Sequence, residues 1–148
     1  RLLQPFQCRI MVRDIADRSE FCREWGVVEA IFDEIVTEAD IVTLHVPLTD
    51  KTENFVNKTV LAKMKLSAFL INTSRGRVVH QRDLHQALIS KQIAAAALDV
   101  FWEEPPTDIE FLKLPNLWVT PHIGGNAREA VEAMGRAAIQ NLVDYFSL

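Results

Sequence analysis

The sequence turns from apolar to acidic within one stretch, Leu98-Asp99-Val100-Phe101-Trp102-Glu103-Glu104-Pro105. The apolar run 93–98 before it predicts a buried strand. Two further apolar runs end in a polar group, since 68–71 is followed by Arg75 and 117–119 by His122. Ligands of open α/β sheets bind in the crevice beyond the carboxyl ends of the strands. We therefore expect a guanidinium, an acid and an imidazole to meet at one edge of a sheet.

Strands and helices alternate along the chain, which predicts an α/β fold of the Rossmann type, a doubly wound and mostly parallel sheet with helices on both faces. The runs that predict strands are 8–12, 27–28, 40–46, 68–71, 93–98 and 117–119. The segments that predict helices are 19–25, 31–39, 57–64, 81–90 and 126–146. Residues 107–116 are predicted to form an irregular loop, and residues 1–6 the last turn of a helix.

Residues that favour helix ends refine these bounds. Gly26 is predicted to cap the first helix at its C-terminus, and either Asn57 or Thr59 is predicted to cap the helix 57–64 at its N-terminus. Asn126 and Glu129 have the spacing of a capping box at the start of the last helix, whose apolar stripe repeats about every 3.6 residues.

Composition excludes several classes of function. A chain of 148 residues is long enough for one domain with a real core, and its net charge of −4 argues against nucleic acid as the main partner. No apolar stretch reaches the roughly 18 residues that span a bilayer. Cys8 and Cys22 are predicted to be reduced thiols in a cytoplasmic protein. No pair of histidines has convincing metal-ligand spacing, so we predict no metal site.

Asp14 is the first candidate binding residue, because it follows the first predicted strand. An acid at this position of a dinucleotide-binding fold binds the ribose hydroxyls of NAD and repels the 2′-phosphate of NADP. The neighbouring Arg13 weakens that preference. A solvated carboxylate at a strand end explains Asp14 equally well.

Arg75 and His122 are the candidate catalytic residues. The Arg75 guanidinium can hold a carboxylate through two parallel hydrogen bonds, although a surface arginine in a turn, our interpretation of Arg77, is the alternative. The His122 imidazole can give a proton to a carbonyl oxygen, although a lone histidine is more often structural. A carboxylate beside it, which we assign to Glu104, would fix its tautomer and raise its pKa.

Four motifs then occur in the order typical of one family. The chain resembles the C-terminal, NAD-binding portion of the D-isomer-specific 2-hydroxyacid dehydrogenases. The residues that carry the resemblance are 39–49, 70–76, 95–101 with Glu103-Glu104-Pro105, and 120–125.

The resemblance implies a role for each candidate. Arg75 would hold the substrate carboxylate and carbonyl, His122 would be the acid and base, and Glu104, with Glu103 as its rival, would pair with His122. Asp99 would hydrogen-bond the nicotinamide carboxamide. The implied cofactor is NAD, with contacts at Asp14, Val46, Pro47, Thr52, Thr73, Ser74, Arg75, Asp99, His122 and Gly124. A small 2-hydroxy or 2-keto acid is the implied substrate, and a homodimer the implied assembly.

Two departures from the family qualify this interpretation. His80 stands where the family has an acidic residue that opens a helix, and we expect only a small effect on stability. The family also has a first strand, a glycine-rich loop and a substrate domain in a part that precedes residue 1 here. We therefore interpret residues 1–148 as one NAD-binding domain fragment. Its strands 8–12 and 40–46 are expected to lack the strand that would lie between them. Its helix from 126 is expected to pack toward the substrate domain. A non-catalytic NAD-sensing or scaffold module, or a fragment that is inactive alone, is the alternative function.

Overall fold

The computed structural model describes residues 2–146. Its strands are β1 (Met11–Val12), β2 (Val28–Glu29), β3 (Ile41–Leu44), β4 (Phe69–Asn72), β5 (Ala95–Leu98) and β6 (Leu117–Val119). Its helices are α1 (Ser19–Trp25), α2 (Phe32–Glu38), α3 (Lys58–Leu61), α4 (Gln81–Ile89), α5 (Ile109–Leu112) and α6 (Arg128–Phe146), with 3₁₀ turns at Gln4–Phe6 and Gly76–Val78. Our predictions for residues 1, 147 and 148 lie outside the described residues.

The strands form two parallel sheets, which confirms the predicted α/β class. Strands β3, β4, β5 and β6 lie side by side in that order, and β1 pairs with β2 in a sheet of its own. Within residues 2–146, no strand joins β1 to β3. Leu70 of β4 lies opposite Ala96 of β5, and both side chains are buried in the core that forms around this pair of strands.

Several predicted elements are shorter in the structure, and two of them are strands whose parallel ladders end early. The strand predicted at 8–12 pairs only at Met11–Val12, and the strand predicted at 40–46 ends at Leu44. The helix predicted at 57–64 ends at Leu61. Of its two candidate caps, Asn57 is confirmed, since its side-chain oxygen accepts hydrogen bonds from the N–H groups of the helix's first turn. Gly26 is confirmed as the C-cap of α1, with φ of 63°.

The prediction of an irregular loop at 107–116 was wrong, because the helix α5 lies within these residues. The Asp108 side chain accepts a hydrogen bond from Phe111 N at 3.0 Å, and the Phe111 ring is buried. A cap and one buried ring are enough to hold a helix of four residues whose sequence has no helical repeat.

The last helix begins later than predicted. Helix α6 starts at Arg128, and the Asn126 side chain donates a 3.4 Å hydrogen bond to the His122 carbonyl oxygen, so Asn126 does not form the predicted capping box. No residue of α6 is buried among the described residues, and its apolar side chains Val131, Met134 and Leu142 are each more than half exposed.

Gly76 brings two site-bearing segments into backbone contact. A Cβ atom at this position would lie 2.0 Å from the carbonyl carbon of Phe101 and 2.5 Å from the nitrogen of Trp102. No side chain fits there, so the segment after Arg75 can lie against the segment before Glu104 only because residue 76 is glycine.

Gly76→Ala is therefore expected to lower the free energy of unfolding by about 1–3 kcal/mol or more, because the added methyl group forces the two backbones apart. Gly135→Ala, within the exposed helix α6 and with no neighbour within 4 Å of a new Cβ, is expected to raise it by roughly 0.5–1 kcal/mol. Urea unfolding followed by circular dichroism measures both changes. Equal stability of the two variants would contradict the close contact at Gly76.

Candidate active site

Two polar side chains are buried among the described residues. Asn72 is the last residue of the central strand β4, and Asp99 directly follows the central strand β5. Asn72 ends β4 and shapes the segment that carries Arg75. Its Oδ1 accepts hydrogen bonds from Ser74 N at 3.0 Å and Ser74 Oγ at 2.9 Å, and its Nδ2 donates to the carbonyl oxygen of Arg75 at 2.9 Å. The backbone from Thr73 to Arg75 is thus wrapped around one buried amide.

Asp99 follows β5 and holds the segment that carries His122. Its Oδ1 accepts hydrogen bonds from Thr120 Oγ1 and from Ile123 N at 3.0 Å, and its Oδ2 accepts one from Gly124 N at 2.8 Å. Burial raises the pKa of Asp99, but these hydrogen bonds outweigh it and bring the pKa below its ordinary value. Asp99 is therefore an ionised anchor for residues 120–124.

His122 has a backbone conformation that is uncommon for a residue other than glycine, with φ of 54°. Its N–H donates to the Thr120 carbonyl at 3.0 Å, which closes a tight turn around Pro121. The fixed φ of proline favours this turn. The turn brings His122 Nδ1 to 2.8 Å from Glu104 Oε2.

Glu104 is held at both of its carboxylate oxygens. Oε2 contacts His122, and Oε1 accepts a hydrogen bond from Phe101 N at 2.9 Å. The hydrogen bond from His122 lowers the pKa of Glu104 most, the Phe101 N–H lowers it further, and the charge of Arg75 adds to both. Its rival Glu103 instead lies 3.4 Å from Thr107 Oγ1. The structure therefore brings Glu104, and not Glu103, to His122.

A crevice of about 500 Å³ opens beyond the carboxyl ends of β3 and β4. Its lining includes five of the residues assigned to the cofactor from the sequence, namely Val46, Pro47, Thr73, Ser74 and Arg75. His45 and Leu48 line it as well. The Arg75 guanidinium donates to the Ser74 carbonyl oxygen at 2.7 Å, and none of the ion pairs within residues 2–146 includes Arg75. An apolar wall, small polar residues and a cation without a carboxylate partner suit a nicotinamide nucleotide.

The other cofactor candidates lie outside this lining. Asp14 follows β1, in the separate sheet, where Oδ1 accepts from Ala16 N at 3.0 Å and Oδ2 pairs with Arg18 Nε at 2.8 Å. The Ala16 N–H, more than Arg18, lowers the pKa of Asp14. Thr52 Oγ1 donates to the carbonyl oxygen of Pro47, a lining residue, at 2.6 Å. His122 and Gly124 lie in the segment 120–124, which Asp99 holds by accepting a hydrogen bond from Gly124 N.

Sequence reasoning missed two parts of this site. Asn72 was not assigned a role, although a polar residue that ends an apolar strand is a signal of a buried hydrogen-bonded group. His45 was not assigned a role either. Its ring Nε2 does contact Thr43 Oγ1 at 2.9 Å, but the residue also lines the crevice, as its place directly before Val46 and Pro47 could have indicated.

Other features of the chain lie apart from the crevice. His80 begins α4 without a side-chain capping hydrogen bond, and its Nδ1 lies 3.1 Å from Asp83 Oδ2. Cys8 is exposed, Cys22 is buried, and both are free thiols. Within residues 2–146 we find no cluster of side chains suited to a metal ion, and no helix with the length and apolar character needed to cross a bilayer.

Comparison with known proteins agrees with this geometry. The family of the D-isomer specific 2-hydroxyacid dehydrogenase, NAD binding domain, matches residues 1–124. A glyoxylate reductase of Korarchaeum cryptofilum is 39% identical over 146 residues, which cover 98% of this chain and 44% of that protein.

Solved structures show the same similarity. The NAD-complexed D-isomer specific 2-hydroxyacid dehydrogenase of Lactobacillus delbrueckii ssp. bulgaricus has a TM-score of 0.85 and 29% identity, and the match covers 99% of this chain and 48% of that one. The D-lactate dehydrogenase of Aquifex aeolicus, solved with NAD and lactic acid, has a TM-score of 0.83 and 26% identity over 97% of this chain and 48% of its own.

The chain thus spans less than half the length of each of these relatives. The matched residues nevertheless include the Asn72 and Asp99 anchors, the crevice and the contact between Glu104 and His122. The chain belongs to the D-isomer specific 2-hydroxyacid dehydrogenases, as a member of their NAD-binding domain family, whose cofactor is NAD.

Proposed function

We propose that the protein carrying this chain interconverts a D-2-hydroxy acid and a 2-keto acid with NAD. The observation that carries the proposal is the 2.8 Å contact between Glu104 and His122, next to a crevice whose wall includes Arg75. A carboxylate-held imidazole supplies an acid and base, and a guanidinium without a carboxylate partner supplies an anion site. Oxidation of a hydroxy acid needs both of these groups.

The residues that would hold NAD are those of the crevice and of the loop beside it. Val46 and Pro47 would border the adenine side, and Thr73 and Ser74 the nicotinamide side. The bound nicotinamide would give hydride to the substrate carbon, or take it away. Asp14 would hold the adenosine ribose, and its Arg18 partner would have to share that carboxylate.

Arg75 would bind the substrate carboxylate and draw electron density from the reacting carbonyl. The two parallel N–H groups of a guanidinium match the two oxygens of a carboxylate, so this contact also fixes the substrate's orientation. Arg75 is available for it because Glu104, the acid whose pKa the charge of Arg75 lowers, is committed to His122 and Phe101 N.

His122 would give a proton to the carbonyl oxygen during reduction and would accept it during oxidation. Because Glu104 contacts Nδ1, the other ring nitrogen, Nε2, is left to face the substrate. The contact with Glu104 also fixes the orientation of the ring. Asp99 keeps the ring in place through residues 120–124, and the nicotinamide contact that the resemblance assigns to Asp99 stays a prediction.

A non-catalytic NAD-sensing or scaffold module is the second candidate, and a chain that is inactive by itself is the third. The exposed helix α6 is the observation that favours an interaction role, since its apolar side chains have no buried contact among the described residues. A cytoplasmic location and a homodimer stay predictions that rest on the resemblance.

Turnover separates these candidates. With NADH and a panel of 2-keto acids, the longest natural polypeptide that carries this sequence is expected to oxidise NADH. His122→Asn should lower kcat about 10²–10⁴-fold, because general acid catalysis contributes that much. The matched change His80→Asn should leave kcat unchanged. Tight NAD binding without turnover of any keto acid would favour the sensing module instead.

The value of kcat for keto-acid reduction tests the role of Glu104. Glu104→Ala is expected to lower kcat by up to about 10²-fold, because the ring of His122 loses the 2.8 Å contact at Nδ1 that orients it. Glu103→Ala is the matched control and should leave kcat unchanged. An unchanged kcat in Glu104→Ala would remove Glu104 from the proposed mechanism.

The lowered pKa of Glu104 also predicts how stability depends on pH. A carboxylate whose pKa is lower in the folded state stabilises the fold above its unfolded pKa of about 4.3, and this contribution is lost as pH falls through the folded pKa. The difference in free energy of unfolding between wild type and Glu104→Gln should therefore be largest near neutral pH and shrink in acid. Urea unfolding at pH values on both sides of 4.3 measures it, and a difference that grows in acid would contradict the assignment.

A further inference from the structure

We propose that Trp102 is a positioning residue of this site, whose indole ties the turn carrying Glu104 to the segment that follows Arg75 and so fixes Glu104 against His122. The inference rests on the proposed function, in which Glu104 orients His122. It adds a residue to which the comparisons and the resemblance assign no role.

The first observation is a hydrogen bond between the two segments. The Trp102 Nε1–H donates to the backbone carbonyl of Val79. Val79 is fully buried and directly follows the 3₁₀ turn Gly76–Val78, which itself begins next to Arg75. The indole therefore reaches across to a rigid part of the arginine segment.

The second observation is the packing of the ring. The Trp102 and Phe111 rings meet edge to face, with centroids 5.7 Å apart and planes at 74°. Phe111 is buried, and its helix α5 is capped by Asp108. The indole is thus held at two points, by a hydrogen bond to Val79 and by an aromatic contact, and both fix its orientation.

The third observation is the place of Trp102 in the chain. It lies inside the turn 101–104, in which Phe101 N donates to Glu104 Oε1 at 2.9 Å while Glu104 Oε2 meets His122 Nδ1 at 2.8 Å. The backbone of this turn also touches Gly76. Any rotation of the turn away from Val79 therefore moves the Glu104 carboxylate relative to both His122 and the arginine segment.

A small cavity lies beside the indole and would allow the ring to shift if its hydrogen bond to Val79 were lost. About 40 Å³ of space lies beside the ring, lined in part by Gln81, Thr107 and Phe111. Without the hydrogen bond to Val79, the contact with Phe111 would remain to hold the ring, and this space would allow the ring to shift.

The tautomer of His122 is the readout, because a purely structural tryptophan would not change it. In wild type, the neutral ring is expected to carry its proton on Nδ1, where Glu104 accepts it. Trp102→Phe keeps an aromatic ring but removes the N–H, and should shift the proton toward Nε2. Glu104→Ala, which removes the acceptor, is expected to cause the same shift. Trp118→Phe makes the same change at an exposed position and should leave the proton on Nδ1.

Nitrogen-15 NMR of the His122 ring at alkaline pH, in this chain without cofactor or substrate, measures the tautomer. A wild-type proton on Nε2, or a Trp102→Phe spectrum equal to that of wild type, would overturn the proposal. Should Trp102→Phe fail to fold, 3-benzothienylalanine at position 102 replaces only the indole N–H by sulfur, and it should give the same shift toward Nε2. These results do not depend on turnover, so loss of the dehydrogenase proposal and loss of this one are distinguishable.

Discussion

The buried carboxylate of Asp99 is the constraint on which the site depends. A buried charge is tolerated only when hydrogen bonds replace its lost hydration, and the donors here are Thr120 Oγ1, Ile123 N and Gly124 N. If the segment 120–124 moved away from Asp99, the buried carboxylate would lose these hydrogen bonds and the folded state would be destabilised. The same bonds hold His122 at a positive φ, which for a residue other than glycine costs on the order of 1–3 kcal/mol. The hydrogen bonds to Asp99 thus offset the strain of the backbone at His122, and this backbone conformation places the imidazole against Glu104.

Asn72 does for the arginine segment what Asp99 does for the histidine segment, and the sheet links the two. Asn72 ends β4 opposite Leu98 of β5, and the Asp99 N–H donates to the Asn72 carbonyl at 3.0 Å. One hydrogen bond of the parallel ladder therefore joins the residues that organise both segments. The relative position of Arg75 and His122 follows from strand register, which a shift by one residue would destroy throughout the sheet. The sheet therefore positions residues that are far apart in the sequence, and few further contacts are needed to hold the site together.

The sequence was sufficient for the features that depend on pattern and on sheet geometry. Apolar runs located the strands of both sheets, and the rule that ligands bind beyond strand ends anticipated the meeting of Glu104 and His122. It was insufficient where tertiary contacts decide. Helix α5 exists because Asp108 caps it and Phe111 is buried, and neither effect has a periodic signature. The amide of Asn126 bonds to the His122 carbonyl, a nonlocal choice that its capping-box spacing could not reveal. The stripe of α6 was visible as a pattern, but a pattern does not say what covers it.

The charges of the site are arranged so that one cation, Arg75, has no carboxylate partner among the described residues. Arg75 is close enough for its charge to lower the pKa of Glu104, yet the carboxylate is occupied by His122 on one oxygen and by Phe101 N on the other. If Glu104 were free to turn, it would neutralise Arg75 and compete with a substrate carboxylate for the same N–H groups. The contacts between Glu104 and His122 therefore also keep Glu104 from pairing with Arg75. In the proposed mechanism, the acid–base role of His122 and the anion-binding role of Arg75 would therefore be coupled through one carboxylate, and a change at Glu104 would affect both.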